Sequence, residues 1–233
     1  MKSMIHSWKK KAAQYRELKK QKGVTLLEII IVLGIIGIIA AGVVILAQRA
    51  FTSQDISNLV DNTNSVRVAM TEAYKDADAY PAKVASNTET KAGIKTSAGK
   101  SAIVGLVKMG KISPDEAFNG FSNDAFEIGP AITSKGATKA KGFYVVINGL
   151  ATEDCRNIIS QIGSQWDYVG TTTAAPGAMS ATAQLDMSVA PDETKSILKT
   201  LAGNKLNPTN IVANSICDAD PNGTTNAIIL GSK

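Results

Sequence analysis

Residues 22–51 have the sequence KGVTLLEIIIVLGIIGIIAAGVVILAQRAF, in which Ile29–Ala47 is a run of nineteen residues without a charged or polar side chain. At the rise of an α-helix this run spans about 28 Å, close to the hydrocarbon thickness of a bilayer. A secretory signal peptide has a shorter apolar core, of about 7–15 residues, before a small-residue cleavage site. The run therefore predicts a membrane-spanning helix near the N-terminus.

Positive charge is concentrated in front of this run. Residues 1–22 carry eight of the 25 Lys and Arg residues but one of the 20 acidic residues, so the remainder of the chain is slightly acidic. By the positive-inside rule, residues 1–22 are expected in the cytoplasm and residues 48–233 on the other side of the membrane. Because the net positive charge is confined to the N-terminus, a nucleic-acid-binding face on the remainder of the chain is not expected.

Two cysteines, Cys155 and Cys217, permit one intramolecular pairing. Thiols stay reduced in the cytosol, whereas disulfides form in the periplasm and outside the cell. The predicted orientation places both residues outside the cytoplasm and therefore favours a Cys155–Cys217 disulfide. Closing a loop of about 60 residues stabilises a fold by roughly 4 kcal/mol in the chain-entropy estimate.

Glu28 places a carboxylate directly before the apolar run. An ionised side chain in a membrane costs about 2.5–3.5 kcal/mol on insertion scales. One explanation is a side chain that reaches the lipid headgroups. The other is a cut between Gly23 and Val24, which would create an α-amino group one helical turn from Glu28. Pairing of the carboxylate with this amine, or with that of a neighbouring copy, would fix the register of stacked subunits.

The stretch Gly23–Glu28, between a basic leader and an apolar run, resembles the prepilin peptidase site of type IV pilins. The long leader and the sequence VTLLEIIIVLGIIGIIAAGVVILAQRAF are similar to the type IVb subgroup, which contains the toxin-coregulated and colonisation-factor pilins. The likeness is strongest over residues 20–80 and continues more loosely through GKISPDEA at 110–117 and the two cysteines. Members of the family often have Met or Phe at the position of Val24.

The resemblance implies that a prepilin peptidase removes residues 1–23 and methylates the new N-terminus at Val24, with Glu28 acting in assembly. It implies an inner-membrane precursor with a cytoplasmic N-terminus and a periplasmic head, which inner-membrane pilus assembly machinery builds into an extracellular homopolymer. We therefore predict the major structural subunit of a type IVb pilus, with roles in bacterial aggregation, adhesion and colonisation. The alternatives are a minor pilin, a type II secretion pseudopilin, or a membrane-anchored periplasmic binding protein or enzyme.

The predicted fold class is α+β: a type IV pilin fold with a long N-terminal helix packed on a small antiparallel sheet with peripheral helices. The helix is expected over residues 24–77, because apolar residues recur at steps of three or four beyond Ala47. The head is expected over residues 78–233, and the resemblance implies a variable surface lobe at 155–217. Further predicted elements are helices at Ser101–Met109, Ser113–Glu116, Thr152–Ile162 and Asp192–Leu201, strands at 142–148, Trp166–Val169 and Asn226–Leu230, and a turn at Asn148–Gly149.

No catalytic site, cofactor or metal is predicted. The single histidine, His6, lies in the segment expected to be removed, which excludes a His-dependent triad from the mature chain. The run Asp218–Gly223 matches the first half of an EF-hand loop, but Ile229 replaces the bidentate Glu at position twelve. A Pro-Asn-Gly turn requires the same residue types, so calcium binding there is left as an alternative.

Three glycines, Gly34, Gly37 and Gly42, interrupt the apolar run. Small residues let membrane helices approach each other closely, and we favour this interpretation. The alternative is that the helix loosens between Gly37 and Gly42 in a filament, where many type IV pilins have a proline.

Overall fold

The computed structural model describes residues 25–203, 205–213 and 215–233. The predicted leader, the cleavage site at Gly23 and Val24, and His6 lie outside these residues. The α+β class is confirmed, and the chain divides into two units within its first helix, at Thr52 and Ser53. The helices and strands are α1 (Leu26–Tyr74), α2 (Ala102–Lys108), β1 (Glu127–Ile132), β2 (Gly142–Leu150), α3 (Thr152–Ile162), β3 (Tyr168–Thr173), β4 (Leu185–Asp186), β5 (Ile197–Lys199), α4 (Pro208–Ile211) and β6 (Asn226–Ser232).

Six strands form one sheet in the described part of the chain, in the order β4-β1-β2-β6-β3-β5. Neighbouring strands are antiparallel, except that β4 pairs in parallel with the end of β1. All residues of the two central strands, β2 and β6, are buried. A strand buried on both faces appears in the sequence as a continuous apolar run, as in FYVVI and AIIL, and not as an alternating pattern.

The second part of α1 packs one side on the sheet. Its buried residues recur at steps of three or four, which places them on one face of the helix. Together with α2, α3 and the side chains of Phe143, Val145 and Ile147, they form the main core. The buried residues of α1 are Ile56, Leu59, Thr63, Val66, Ala69 and Met70.

The opposite face of the sheet carries a second, smaller core. Tyr144 and Val146 of β2 belong to it, alternating with the residues that face α1, because successive side chains of a strand point to opposite faces. Residues from the segment 174–201, which contains β4 and β5, cover this face. The sheet is therefore enclosed on both sides.

A buried ion pair and its hydrogen bonds attach residues 174–201 to β1. Lys83 Nζ lies 2.8 Å from Glu127 Oε1, and the two side chains are 17% and 6% exposed. Glu127 also accepts hydrogen bonds from the amide and hydroxyl of Ser180, while Lys83 donates to the carbonyl oxygens of Ser180 and Thr182. These bonds replace the water that both charges lose on burial.

The predicted disulfide between Cys155 and Cys217 is present. It joins α3 to the chain beyond α4, with the two Cα atoms 5.9 Å apart, and both residues are buried in the main core. Beside it, the guanidinium of Arg156 donates to the carbonyl oxygen of Ile216 at 3.2 Å. The cross-link encloses β3, β4, β5 and α4.

Two of the predicted helices are wrong. Asp192–Leu201 contains a single 3₁₀ turn, which Asp192 caps, followed by β5; Ser196 takes a left-handed conformation, with φ of 60°, between them. Ser113–Glu116 is an isolated turn, although Ser113 and Glu116 exchange the hydrogen bonds of a capping box. The turn stops there because Phe118 enters a β-bridge with Ala125.

The predicted turn at Asn148–Gly149 is also wrong, since β2 continues to Leu150. Gly149 has φ of 74° and occupies a β-bulge, where the register of β2 against β6 shifts. The sequence analysis missed β1, because Gly129 and Pro130 are unusual in a strand. Gly129 is needed there: a Cβ at this position would lie 2.4 Å from the ring of Tyr144.

We expect Glu127→Ala to lower the free energy of unfolding by about 3–5 kcal/mol, because it leaves the Lys83 ammonium buried without a counter-charge. The matched control is Glu72→Ala, which breaks the exposed pair of Glu72 with Lys111. Water already screens that pair, so the midpoint of denaturation should stay nearly unchanged. Denaturant titration of the purified subunit in detergent measures both variants, and equal effects would contradict the role assigned to Glu127.

We expect the double variant Cys155→Ser, Cys217→Ser to lose roughly 4 kcal/mol of unfolding free energy, because the denatured chain regains the freedom of the open loop. Reduction of the unmodified protein should produce the same loss, and the double variant should not respond to reductant. A loss below about 1 kcal/mol in denaturant titration would show that the cross-link adds little to the packing around it.

Candidate functional site: an apolar helix segment for assembly

The first part of α1 exposes apolar side chains on all sides. From Leu26 to Phe51, its large apolar side chains are 46–78% exposed. Within the residues that the structure describes, α1 is also the one helix long and apolar enough to cross a membrane. A helix that is apolar all round is stable when lipid or other apolar helices surround it. We call residues 26–51 the apolar segment.

Three glycines lie in the apolar segment. A Cβ added at Gly34, Gly37 or Gly42 would contact nothing within 4 Å, so no contact among the described residues requires a glycine there. Missing side chains leave shallow places on a helix surface, and such places allow a second helix to approach closely. The glycines therefore fit a surface used between copies, and α1 is continuous through them.

Thr25 and Glu28 begin the helix. The backbone N–H of Glu28 donates to the hydroxyl oxygen of Thr25 at 3.2 Å, and the N–H of Ile29 donates to the Thr25 carbonyl oxygen at 3.2 Å. Thr25 is therefore the N-cap of α1. The sequence analysis missed this role, although the Thr-x-x-Glu spacing before an apolar run is the signature of a capping box.

The carboxylate of Glu28 lies in the first turn, where the positive end of the helix dipole favours negative charge. The side chain is exposed, and no Lys or Arg among the described residues lies within 4 Å of it. Surrounded by apolar helices, this carboxylate would need a positive partner. The proposed partner, the amine of Val24, lies outside the described residues.

The loop Asp218–Gly223 is a turn fixed by Asp220. The carboxylate of Asp220 accepts a hydrogen bond from the Thr225 hydroxyl at 3.0 Å. The backbone carbonyl oxygen of Asp220 accepts one from the side-chain amide of Asn226 at 3.2 Å. A Cβ at Gly223 would lie 2.0 Å from that carboxylate, so the glycine is needed for the close approach. Across residues 25–203, 205–213 and 215–233, no cluster of three His, Cys, Asp or Glu residues is arranged to hold a metal ion.

Two sequence families match the chain. The family described as toxin-coregulated pilus subunit TcpA matches residues 105–230. The prokaryotic N-terminal methylation motif matches residues 18–44, a range that contains Gly23, Val24, Glu28 and much of the apolar segment. The first match lies within the globular unit, and the second includes the start of α1.

Individual relatives agree with these families. The toxin coregulated pilin of Vibrio cholerae serotype O1, an El Tor strain, is 36% identical over 209 residues, which are 88% of either chain. Another toxin coregulated pilin of Vibrio cholerae is 36% identical over 198 residues, 84% of this chain and 83% of the relative. The crystal structure of TcpA, a type IV pilin from the El Tor biotype of Vibrio cholerae, superposes with a TM-score of 0.58 at 26% identity, covering 77% of this chain and 99% of that chain.

Proposed function

Because this chain belongs to the toxin-coregulated pilus subunit family of type IV pilins, we propose that it is the major subunit of a type IVb pilus. Membership of a structural family makes the chain a pilus subunit and not an enzyme. The hypothesis of a membrane-anchored enzyme or binding protein is therefore wrong. The exposed apolar segment of α1 is the observation that carries the proposal of polymerisation.

The apolar segment needs an apolar environment before and after assembly. In the precursor this environment would be the inner membrane, and in the filament it would be the same segment of neighbouring copies. Since lipid tails are as apolar as leucine side chains, transfer between the two environments has little hydrophobic driving force. Polar contacts must therefore determine where each new copy stops.

We assign that part to Glu28. After cleavage between Gly23 and Val24, the new α-amino group would lie within reach of the Glu28 carboxylate of its own copy or of a neighbour. A copy displaced from its correct position would leave both charges unpaired among apolar helices, at a cost of several kcal/mol. The Thr25 cap supports this assignment, because it fixes the backbone of Glu28 at the start of the helix.

Processing and location follow from the same proposal. A prepilin peptidase would remove residues 1–23 and methylate Val24, leaving the long helix over 24–77 and the head over 78–233. The precursor would lie in the inner membrane with its head in the periplasm, where the Cys155–Cys217 disulfide can form. Inner-membrane assembly machinery would then extrude the filament, whose proposed uses are aggregation, adhesion and colonisation.

Processing of the precursor can be tested on sheared filaments. We expect the protein from filaments sheared off its native cells to begin at Val24 and to carry one added methyl group. N-terminal sequencing and intact mass spectrometry measure both, and the chain should dominate the sheared material. A chain that begins at Met1 would overturn the proposed processing, whereas a correctly processed chain at trace abundance would indicate a minor pilin.

The role assigned to Glu28 can be tested by substitution. We expect Glu28→Gln to reduce the yield of sheared filaments by roughly tenfold or more, because the partner amine loses its counter-charge. Cellular levels of the subunit and its disulfide should stay normal. The matched control is Glu153→Gln, which removes an exposed carboxylate in the first turn of α3 and should leave the filament yield unchanged. Normal filaments from Glu28→Gln would contradict the assignment.

A further inference from the structure

A groove in the globular unit lies beside the part of α1 that follows the apolar segment. It is open, has a volume of about 540 Å³, and is bounded by α1 and by the turn that contains Asp115. Asp55 and Asp61 are exposed on the helix side, and within the described residues no Lys or Arg lies within 4 Å of either. Lys91, 3.8 Å from Asp115, is the one basic residue among those that line the groove. We call this feature the acidic groove.

A surface of opposite charge is formed by the connection between β1 and β2. Residues 133–141 have the sequence TSKGATKAK, which contains three lysines and no acidic residue. Lys139 and Lys141 share one carboxylate, that of Asp78, at 2.5 and 4.0 Å. Lys135 is exposed and has no acidic partner within 4 Å among the described residues. We call residues 133–141 the basic loop.

The two surfaces lie at opposite ends of the part of α1 that belongs to the globular unit. The basic loop is held beside the chain that leaves α1, because the amide of Tyr80 donates to the Ala140 carbonyl oxygen at 2.9 Å. The acidic groove lies beside residues 55–62 of α1. Residues 58 and 74 of the same helix are separated by about 24 Å along its axis.

The membrane gives every copy the same orientation before assembly, because the basic leader stays on one side. A filament extruded from such copies has all its helices pointing in one direction. Contacts along it are then heterologous: a surface at one end of a subunit meets a different surface at the opposite end of the next. Two surfaces of opposite charge, at opposite ends of the part of α1 that belongs to the globular unit, meet this requirement.

We propose that the basic loop of each subunit docks into the acidic groove of the next subunit along the filament. This inference rests on the proposed function as a pilus subunit and adds a contact between globular units to the contacts of the apolar segments. Lys135 enters the groove between Asp55 and Asp61, and complementary charge selects the correct neighbour and register. Salt weakens the contact, since the charges are exposed.

Chemical cross-linking of filaments tests the contact without altering its charges. The full chain carries Asn58→Cys in the groove and Ser134→Cys beside Lys135, both at exposed positions. Sheared filaments are treated with a short bis-maleimide, to which Cys155 and Cys217 do not react because they form the disulfide. We expect a ladder of covalent oligomers far beyond the dimer, because every subunit uses both surfaces.

The controls separate this geometry from other contacts. Filaments of either single-cysteine variant should give no covalent oligomer after treatment. Filaments that contain a mixture of the two variants should give covalent dimers and no ladder. Filaments of normal yield without a ladder would overturn the docking contact and leave the pilin function standing; this is also the result if a small cation occupies the groove. Absence of filaments from the unmodified chain would overturn the proposed function itself.

Charge reversal provides a second measurement if the cysteine variants do not assemble. Asp61→Lys should reduce the filament yield roughly tenfold, because it places like charges opposite each other across the interface. Adding Lys135→Glu to the same chain should restore most of the yield. Failure of the second substitution to rescue the first, with both subunits folded and disulfide-bonded, would overturn the pairing.

Discussion

Among the described residues, the large apolar side chains of the apolar segment are exposed, and this constraint determines the organisation of the molecule. Exposure of the apolar side chains from Leu26 to Phe51 to water is unfavourable, so water is not a stable environment for them. An isolated copy is thus incomplete in a physical sense: its helix requires lipid or other copies. The two cores of the globular unit are formed by residues from Ile56 onward, and they cover both faces of the sheet.

This separation divides the work between two parts of one helix. In the proposed filament the apolar segment would provide non-directional adhesion, which alone would permit copies to slide past one another. Directional information has to come from groups that are costly to misplace. We assign this part to Glu28, whose backbone is held by the Thr25 cap at the start of the helix. Within the globular unit, the charges along α1 are available for the same purpose.

Patterns within short stretches of sequence predicted most of this architecture. The apolar run, the acidic residue before it, the strand around Val145 and the helix of Cys155 each carry their own local signal. The errors occurred where distant contacts override local preference. Gly129 lies in a strand because a tyrosine ring from the neighbouring strand fills its side-chain space, and Ser196 reverses the chain where a helix was expected. The cleavage and methylation positions, by contrast, still rest on the sequence motif.

The cross-link between Cys155 and Cys217 has a mechanical meaning for a fibre that is pulled. A subunit that unravels under tension lengthens the fibre by the contour of its released chain. The two cysteines are 62 positions apart, and an extended chain of that length spans about 200 Å. While the disulfide is intact, this length is not released, even when the surrounding strands separate. The cross-link therefore limits how far each subunit can lengthen after its non-covalent packing is broken.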